Sequence, residues 1–420
     1  MFRVPDALQG LTRDGWLLFA SRFIRLFAYG ALSVVLVLYL VGIGLTEPEA
    51  GLILTLTLVG DTAVSLLLTT RADRIGRRRV LAAGALLMAA AGLTFASTTA
   101  LWLLVVAGVI GVISPSGQEV GPFLPVEQAA LSHVVTDRTR TEVFAWYTLT
   151  GSTATALGAL AAGSITRILQ DAGWESVSAY RVVVVLYAAL GVALAVLVSG
   201  LSQSAEMKRR NESSPPKTIF AGLTGVHHSR DVVLKLSGLF ALDAFGGGFV
   251  VQSFVAYWFH LRFGVDAGTL GMIFFWANIL GGASALLASR LAARIGLITT
   301  MVVTHLPSNV LLILIPLMPT LPLAITVLLV RFSISQMDVP TRQSYLMAVV
   351  QPEERSAAAG IAGVARTTGA AISPVFVGLM FANPVLMNAP FYIAGTLKSA
   401  YDLLLYRAFA AVRPPEEKQL

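Results

Sequence analysis

The chain contains no cysteine, which excludes disulfides, thiolate metal sites and thiol nucleophiles. Charge is also scarce. Asp, Glu, Lys and Arg make up 13% of the 420 residues, against a usual ~25%, and a soluble protein of this length cannot clothe its surface on so little. No G-x-x-x-x-G-K occurs, nor any Gly-Lys pair, so there is no phosphate loop with which to hydrolyse ATP. The histidines form no H-E-x-x-H and no G-x-S-x-G is present, which removes the zinc-peptidase and serine-hydrolase signatures. No enzyme activity, cofactor or metal is expected.

What the chain has is oil. Hydrophobic residues are 56% of it, mean hydropathy is +0.76, and apolar runs recur from end to end. Runs of ~20 residues cross about 30 Å of hydrocarbon as helices, and a helix satisfies its own backbone hydrogen bonds, as the bilayer demands. The pattern predicts twelve spans, at 15–41, 48–70, 79–98, 101–131, 142–166, 181–203, 234–260, 268–289, 297–317, 321–349, 356–382 and 390–411. The first run carries Arg22 and Arg25 and no small-residue cleavage site follows it, so it reads as a span and not a signal peptide. Span four is punctuated by Pro115, Gly117, Gly121, Pro122 and Pro125. Such a stretch survives at membrane depth only where other groups satisfy the freed backbone.

The net charge of +7 reads as basic residues held at the cytoplasmic face, with no nucleic-acid partner. Lys and Arg are densest between Arg71 and Arg79, after span two, and between Lys208 and Arg230, after span six. Both termini are therefore expected in the cytoplasm, in a protein of the plasma (cell inner) membrane. The polar stretch around Lys208, Arg209, Arg210, Asn211, Ser213, Pro215 and Pro216 reads as a linker. It divides the chain into an N-terminal bundle (1–203), a linker (204–233) and a C-terminal bundle (234–420).

An internal repeat relates the halves. Ala72-Asp73-Arg74-Ile75-Gly76 after span two matches Ala292-Ala293-Arg294-Ile295-Gly296 after span eight. Pro125-Val126-Glu127-Gln128 matches Pro340-Thr341-Arg342-Gln343. Arg25-Leu26-Phe27 with Gly30 matches Asp243-Ala244-Phe245 with Gly248. The three matches fall in the same order at nearly constant offset.

At the connection after span two the chain resembles the major facilitator superfamily. The family motif G-x-L-x-D-R-x-G-R-R is met by Asp73, Arg74, Gly76, Arg77 and Arg78, while Thr69 replaces its first glycine and Arg71 its leucine. The resemblance implies an all-α membrane fold of two pseudo-symmetric six-helix bundles that rock about a central site. It also implies that Asp73, Arg74 and Arg77 form a conformational charge lock; a plain topogenic basic loop is the alternative. The span-five glycine motif of the family's exporters is only partly present, as Gly151, Gly158 and Gly163 without the proline. Small-residue helix packing accounts for those glycines equally well.

Ionisable residues inside spans are costly and are functional candidates by default. The acids are Asp61, Glu119, Glu127, Asp243, Asp338 and Asp402; the bases are Arg22, Arg25, Arg331, Arg342, Arg366 and Lys398. In the resembled fold spans one, four, seven and ten line the cavity, which ranks Arg25, Glu119, Glu127, Asp243 and Arg342 first. Arg22, Asp61, Gln118, Gln252 and Asp338 follow as further lining. The repeat pairs Arg25 with Asp243 and Glu127 with Arg342 in opposite sign, so two ion pairs across the pseudo-two-fold are expected. Lys398 and Asp402, four apart, are expected to pair with each other, and Arg331 and Arg366 to reach the interface. Gly246 to Gly248 should break span seven. The function expected is secondary transport of a small solute with protons as coupling ion, by a monomer. Export of a drug or charged amphiphilic metabolite is favoured, over symport uptake or a non-transporting receptor.

Reporter fusions after Arg79, within the 208–217 linker and at the C-terminus should all read cytoplasm, and one near Thr99 should read outside. A cytoplasmic signal at Thr99 defeats the span assignment.

Overall fold

The computed structural model describes residues 8, 10–134, 140–202, 226, 228–351 and 354–412, with the side chains of 70–74, 132–134, 140–141 and 356 outside that description. Among the described residues the elements are helical. They are α1 (Arg13–Gly42), α2 (Glu47–Ile75), α3 (Arg77–Ser97), α4 (Leu101–Ile110), α5 (Phe123–Val134), α6 (Arg140–Asp171) and α7 (Ser176–Ser199) in the first half. The second half holds α8 (Arg230–Gly248), α9 (Gln252–Phe263), α10 (Ala267–Ile295), α11 (Leu297–Leu314), α12 (Leu321–Ser335), α13 (Asp338–Val349), α14 (Arg355–Phe381) and α15 (Ala389–Phe409). Nine segments of the described residues are long and apolar enough to cross a membrane. With α6, α15 and the α4–α5 pair the count is consistent with twelve. Most ends fall close to the sequence expectation; α7 starts earlier, at Ser176.

Spans four, seven and ten are each two helices. Residues 111–122 carry no helix between α4 and α5, and within them Gly117 and Gly121 take φ of 69° and 80°. Those angles explain the glycines, since a Cβ is strained there. Span seven breaks after Gly248, as its three glycines predict, and α9 begins at Gln252. Span ten breaks at Gln336 and Met337, where the Gln336 amide donates to Ser284 Oγ at 3.2 Å.

The chain forms two compact units, one of Met1–Leu45, Gly60–Pro215 and Val265–Phe275, the other of Thr46–Val59, Pro216–Gly264 and Trp276–Leu420. Packing repeats between them. In the first, α1 lies along α6 and α7, and α3 along α7; in the second, α8 lies along α14 and α15, and α11 along α15. The turns before α3 and α11 are also alike: Gly76 and Gly296 cap those helices at φ 104° and 84°. The repeat seen in the sequence is thus a repeat of backbone shape.

Close helix contact rests on absent side chains. A Cβ on Gly30 of α1 would lie on the Thr155 carbonyl of α6, and one on Gly158 of α6 on the Phe27 carbonyl of α1. Gly163 meets Gly271, and Gly151 leaves room for the Arg22 side chain. The span-five glycines are therefore packing sites, as small residues between membrane helices commonly are. Gly30→Val should lower the thermal midpoint in detergent, overpacking of this kind costing about 1–3 kcal/mol. Gly363→Ala, with open space around its Cβ position, should leave the midpoint unchanged. Equal midpoints for the two variants contradict the contact.

Candidate functional site

In the first unit two arginines from α1 meet two glutamates from the broken fourth span. Arg25 is fully buried; its NH1 lies 2.6 Å from Glu127 Oε1 and its NH2 2.9 Å from Oε2. The same guanidinium donates through Nε and NH2 to Glu119, at 3.3 and 3.0 Å to Oε2. Arg22 NH1 reaches Glu119 Oε1 at 2.7 Å. Glu127 is completed by Ser21 Oγ at 2.5 Å and by the Tyr147 hydroxyl, both donating. Rings sit beneath the cations: Arg22 is 4.4 Å from the Tyr147 centroid and Arg25 4.6 Å from that of Phe123. Two positive and two negative groups close the set, which is what burial of charge requires.

Asp61 stands apart from these pairs. Its Oδ1 accepts the Gly121 amide at 2.6 Å and Ser65 Oγ at 3.4 Å. It thereby satisfies backbone freed by the break in span four, the role that such a break demands at membrane depth. Gln118 is exposed beside Glu119.

The second unit holds a longer network. Asp243 accepts Lys398 Nζ at 2.5 Å on Oδ1 and Arg342 NH1 at 3.0 Å on Oδ2. Arg342 also pairs with Asp338 one turn away. His305 places Nε2 3.8 Å from Asp243 Oδ1 and Nδ1 2.9 Å from Asp402 Oδ1. Asn309 Nδ2 donates to Asp402 Oδ2 at 2.8 Å. Phe240 and Tyr401 lie 5.4 and 6.0 Å from the Arg342 guanidinium carbon.

Two sequence-based pairings are corrected here. Arg25 holds Glu119 and Glu127, not Asp243, and Arg342 holds Asp243 and Asp338, not Glu127. The repeat assigns opposite signs to equivalent positions, yet within each unit the first and fourth spans already supply both signs. Lys398 and Asp402 likewise turn to other helices, Lys398 to Asp243 and Asp402 to His305 and Asn309, because a partner on a facing helix meets the ion head-on. Arg331 keeps its Nε buried without a hydrogen-bond partner. Gln252 accepts from Asn278 at 3.1 Å. Of the motif after span two, Asp73 and Arg74 have side chains outside the described ones; Arg77 is buried and Arg78 NH1 lies 3.5 Å from the Leu201 carbonyl oxygen.

His305, Asn309, Ser21 and Tyr147 went unpredicted. His305 and Asn309 stand four apart in an apolar span, hence on one helix face. That spacing of polar residues in lipid was a usable signal.

The sequence matches the pattern of the Major Facilitator Superfamily over residues 18–374. It is 32% identical to the uncharacterized membrane protein YJR124C of Saccharomyces cerevisiae, over 97% of each chain. Among solved structures, a point mutant of the nucleoside transporter NupG superposes with a TM-score of 0.76 at 13% identity, over 94% of this chain and 100% of that one. A D-xylose–proton symporter gives 0.71 at 15%, over 94% and 97%. The human organic anion transporter MFSD10 gives 0.62 at 15%, over 96% and 100%. At such identities the likeness is one of fold.

Arg25→Leu strips Glu127 of its buried cation and should cost about 3–5 kcal/mol. Arg25→Leu combined with Glu127→Leu should recover much of that loss in thermal unfolding. Strictly additive damage in the double variant contradicts the pairing.

Proposed function

The chain belongs to the major facilitator superfamily, and from that premise we propose that it is a proton-coupled exporter of a small charged or amphiphilic solute. It is a secondary transporter in family and fold; the direction, the proton and the kind of solute are our reading. The observation that carries it is the cluster of ionisable side chains withdrawn from solvent in each unit, Arg22, Arg25, Glu119 and Glu127 in one and Asp243, Asp338, Arg342, Lys398, His305 and Asp402 in the other. Packing alone is better served by apolar residues than by buried ion pairs, which are often no more stabilising than their hydrophobic replacements. Charges retained at membrane depth point to ion or solute handling.

In this reading Glu127 or Asp243 takes the proton, with Glu119 in reserve. A carboxylate gains or loses a proton as its arginine partner and its access to water change between conformations. Asp73, Arg74 and Arg77 act as the lock that biases those conformations. The protein works as a monomer in the plasma membrane with both termini in the cytoplasm; of the expected 204–233 linker, residues 204–225 and 227 lie outside the described residues, and Arg230 already begins α8.

Uptake by symport is the second reading, favoured by the contact of Glu119 with Arg22 and Arg25. A proton on that carboxyl releases both guanidiniums, so proton and solute load from the same side.

The test is reconstitution in vesicles containing a pH-sensitive dye, with a panel of solutes under an imposed pH gradient. Exchange acidifies the compartment that the solute leaves; symport acidifies the one that it enters. Glu127→Gln, Asp243→Asn and Glu119→Gln mimic protonation, and the essential one should keep solute exchange but abolish accumulation. Gradient-driven accumulation by all three variants removes these acids as the carriers and shifts attention to Asp61 and Asp338.

A further inference from the structure

Glu119 makes the contacts that a solute's own carboxylate would make. Its Oε1 lies 2.7 Å from Arg22 NH1 and 3.2 Å from Arg25 NH2, and its Oε2 3.0 and 3.3 Å from Arg25 NH2 and Nε. One carboxylate thus bridges two guanidinium forks, the planar geometry by which arginine recognises carboxylate and phosphate groups.

The two glutamates of this cluster are held very differently. Glu127 is wholly buried on α5 and receives Ser21, Arg25 and Tyr147. Glu119 belongs to the non-helical stretch 111–122, its side chain is 17% exposed, and its described partners are the two arginines. The arginines have partners besides Glu119. Arg25 is clamped by Glu127 and lies over Phe123, and Arg22 rests on Tyr147 in the space left by Gly151.

Arg22 is also incompletely used. It is 6% exposed, its NH1 is taken by Glu119 at 2.7 Å, and its Nε is buried with no hydrogen-bond partner. A buried guanidinium normally has its donors engaged. With Glu119 withdrawn, Arg22 and Arg25 against Glu127 leave one net positive charge, which suits a monoanion.

We infer that Arg22 and Arg25 form the binding site for the oxyanion group, carboxylate or phosphate, of the transported solute, and that Glu119 occupies it as a tethered stand-in. The inference rests on the transporter reading for the word transported; the site itself is tested by binding alone. An organic anion enters by displacing Glu119, whose segment lacks the helical hydrogen bonds that would hold it in place. The other titratable groups facing the site are Glu127, Tyr147 and Tyr29, and none of them donates to Glu119 among the bonds described: the Tyr147 hydroxyl donates to Glu127 and the Tyr29 hydroxyl to the Val120 carbonyl.

The experiment is calorimetric titration of the purified full-length protein, in nanodiscs, with benzoate, phenyl phosphate and benzylamine. Glu119→Gln removes the competing charge and should bind benzoate or phenyl phosphate at least tenfold more tightly than the unaltered protein. Adding Arg22→Gln should abolish that gain, and benzylamine should bind neither form. Preference between the two anions separates carboxylate from phosphate as the natural group. Glu119→Asp, too short to span both arginines, should give an intermediate gain and serves if the glutamine variant does not fold. No gain for either anion in either variant overturns the site. So does benzylamine binding that is lost with Glu119, which makes that acid a cation receptor. Tight anion binding without movement of the bound anion in vesicles leaves the site standing and removes the proposal that its occupant is transported; transport without this binding does the reverse.

Discussion

The rest of this structure depends on one constraint: an ion in hydrocarbon must meet its counter-ion inside the protein. An isolated arginine or aspartate at the centre of a membrane helix costs roughly 2.5–3.5 kcal/mol on insertion scales. The chain carries enough of them that pairing dictates which helices touch. Arg25 and Glu127 fix the first span to the fourth, and Asp243, Arg342 and Lys398 fix the seventh to the tenth and twelfth. Glycines such as Gly30 and Gly158 then let neighbouring helices approach closely. Electrostatics chooses the neighbours and small residues set the distance.

The broken spans belong to the same logic. A helix hides its backbone; a break exposes it, and something polar must answer. Asp61 answers the Gly121 amide and Ser284 answers Gln336. The fourth span can be irregular at Glu119 because Asp61, Thr155 and Tyr187 answer its backbone at Gly121, Gly117 and Val112. Its irregularity in turn is what lets a carboxylate lie across two guanidiniums at once.

Much of this was legible in the sequence because it depends on local pattern. Apolar runs marked the spans, Gly246 to Gly248 marked the break in span seven, and Gly76 and Gly296 marked matching turns. The charged residues were also legible as a set, since few residue types cost so much in lipid. Their partners were not. Pairing depends on which helix faces face one another, and the repeat pointed to Asp243 for Arg25 where the fold supplied Glu119 and Glu127. His305 and Asn309 were legible as a polar pair on one helix face, but their partners Asp243 and Asp402 lie about 60 and 100 residues away and only the packing brings them together.

The spacing of these partners along the chain has a consequence for biogenesis. Arg25 precedes Glu119 by 94 residues, and Asp243 precedes Arg342 by 99. In each half the first helix to leave the ribosome holds a charge whose arginine or glutamate partner arrives only with the fourth. The nascent bundle must therefore keep that helix near water or the insertion machinery until three more have been made. The two waiting charges have opposite sign, yet they never wait together: the glutamates that claim Arg25 are synthesised before Asp243 exists. Order of synthesis thus offers each half its own counter-ions first.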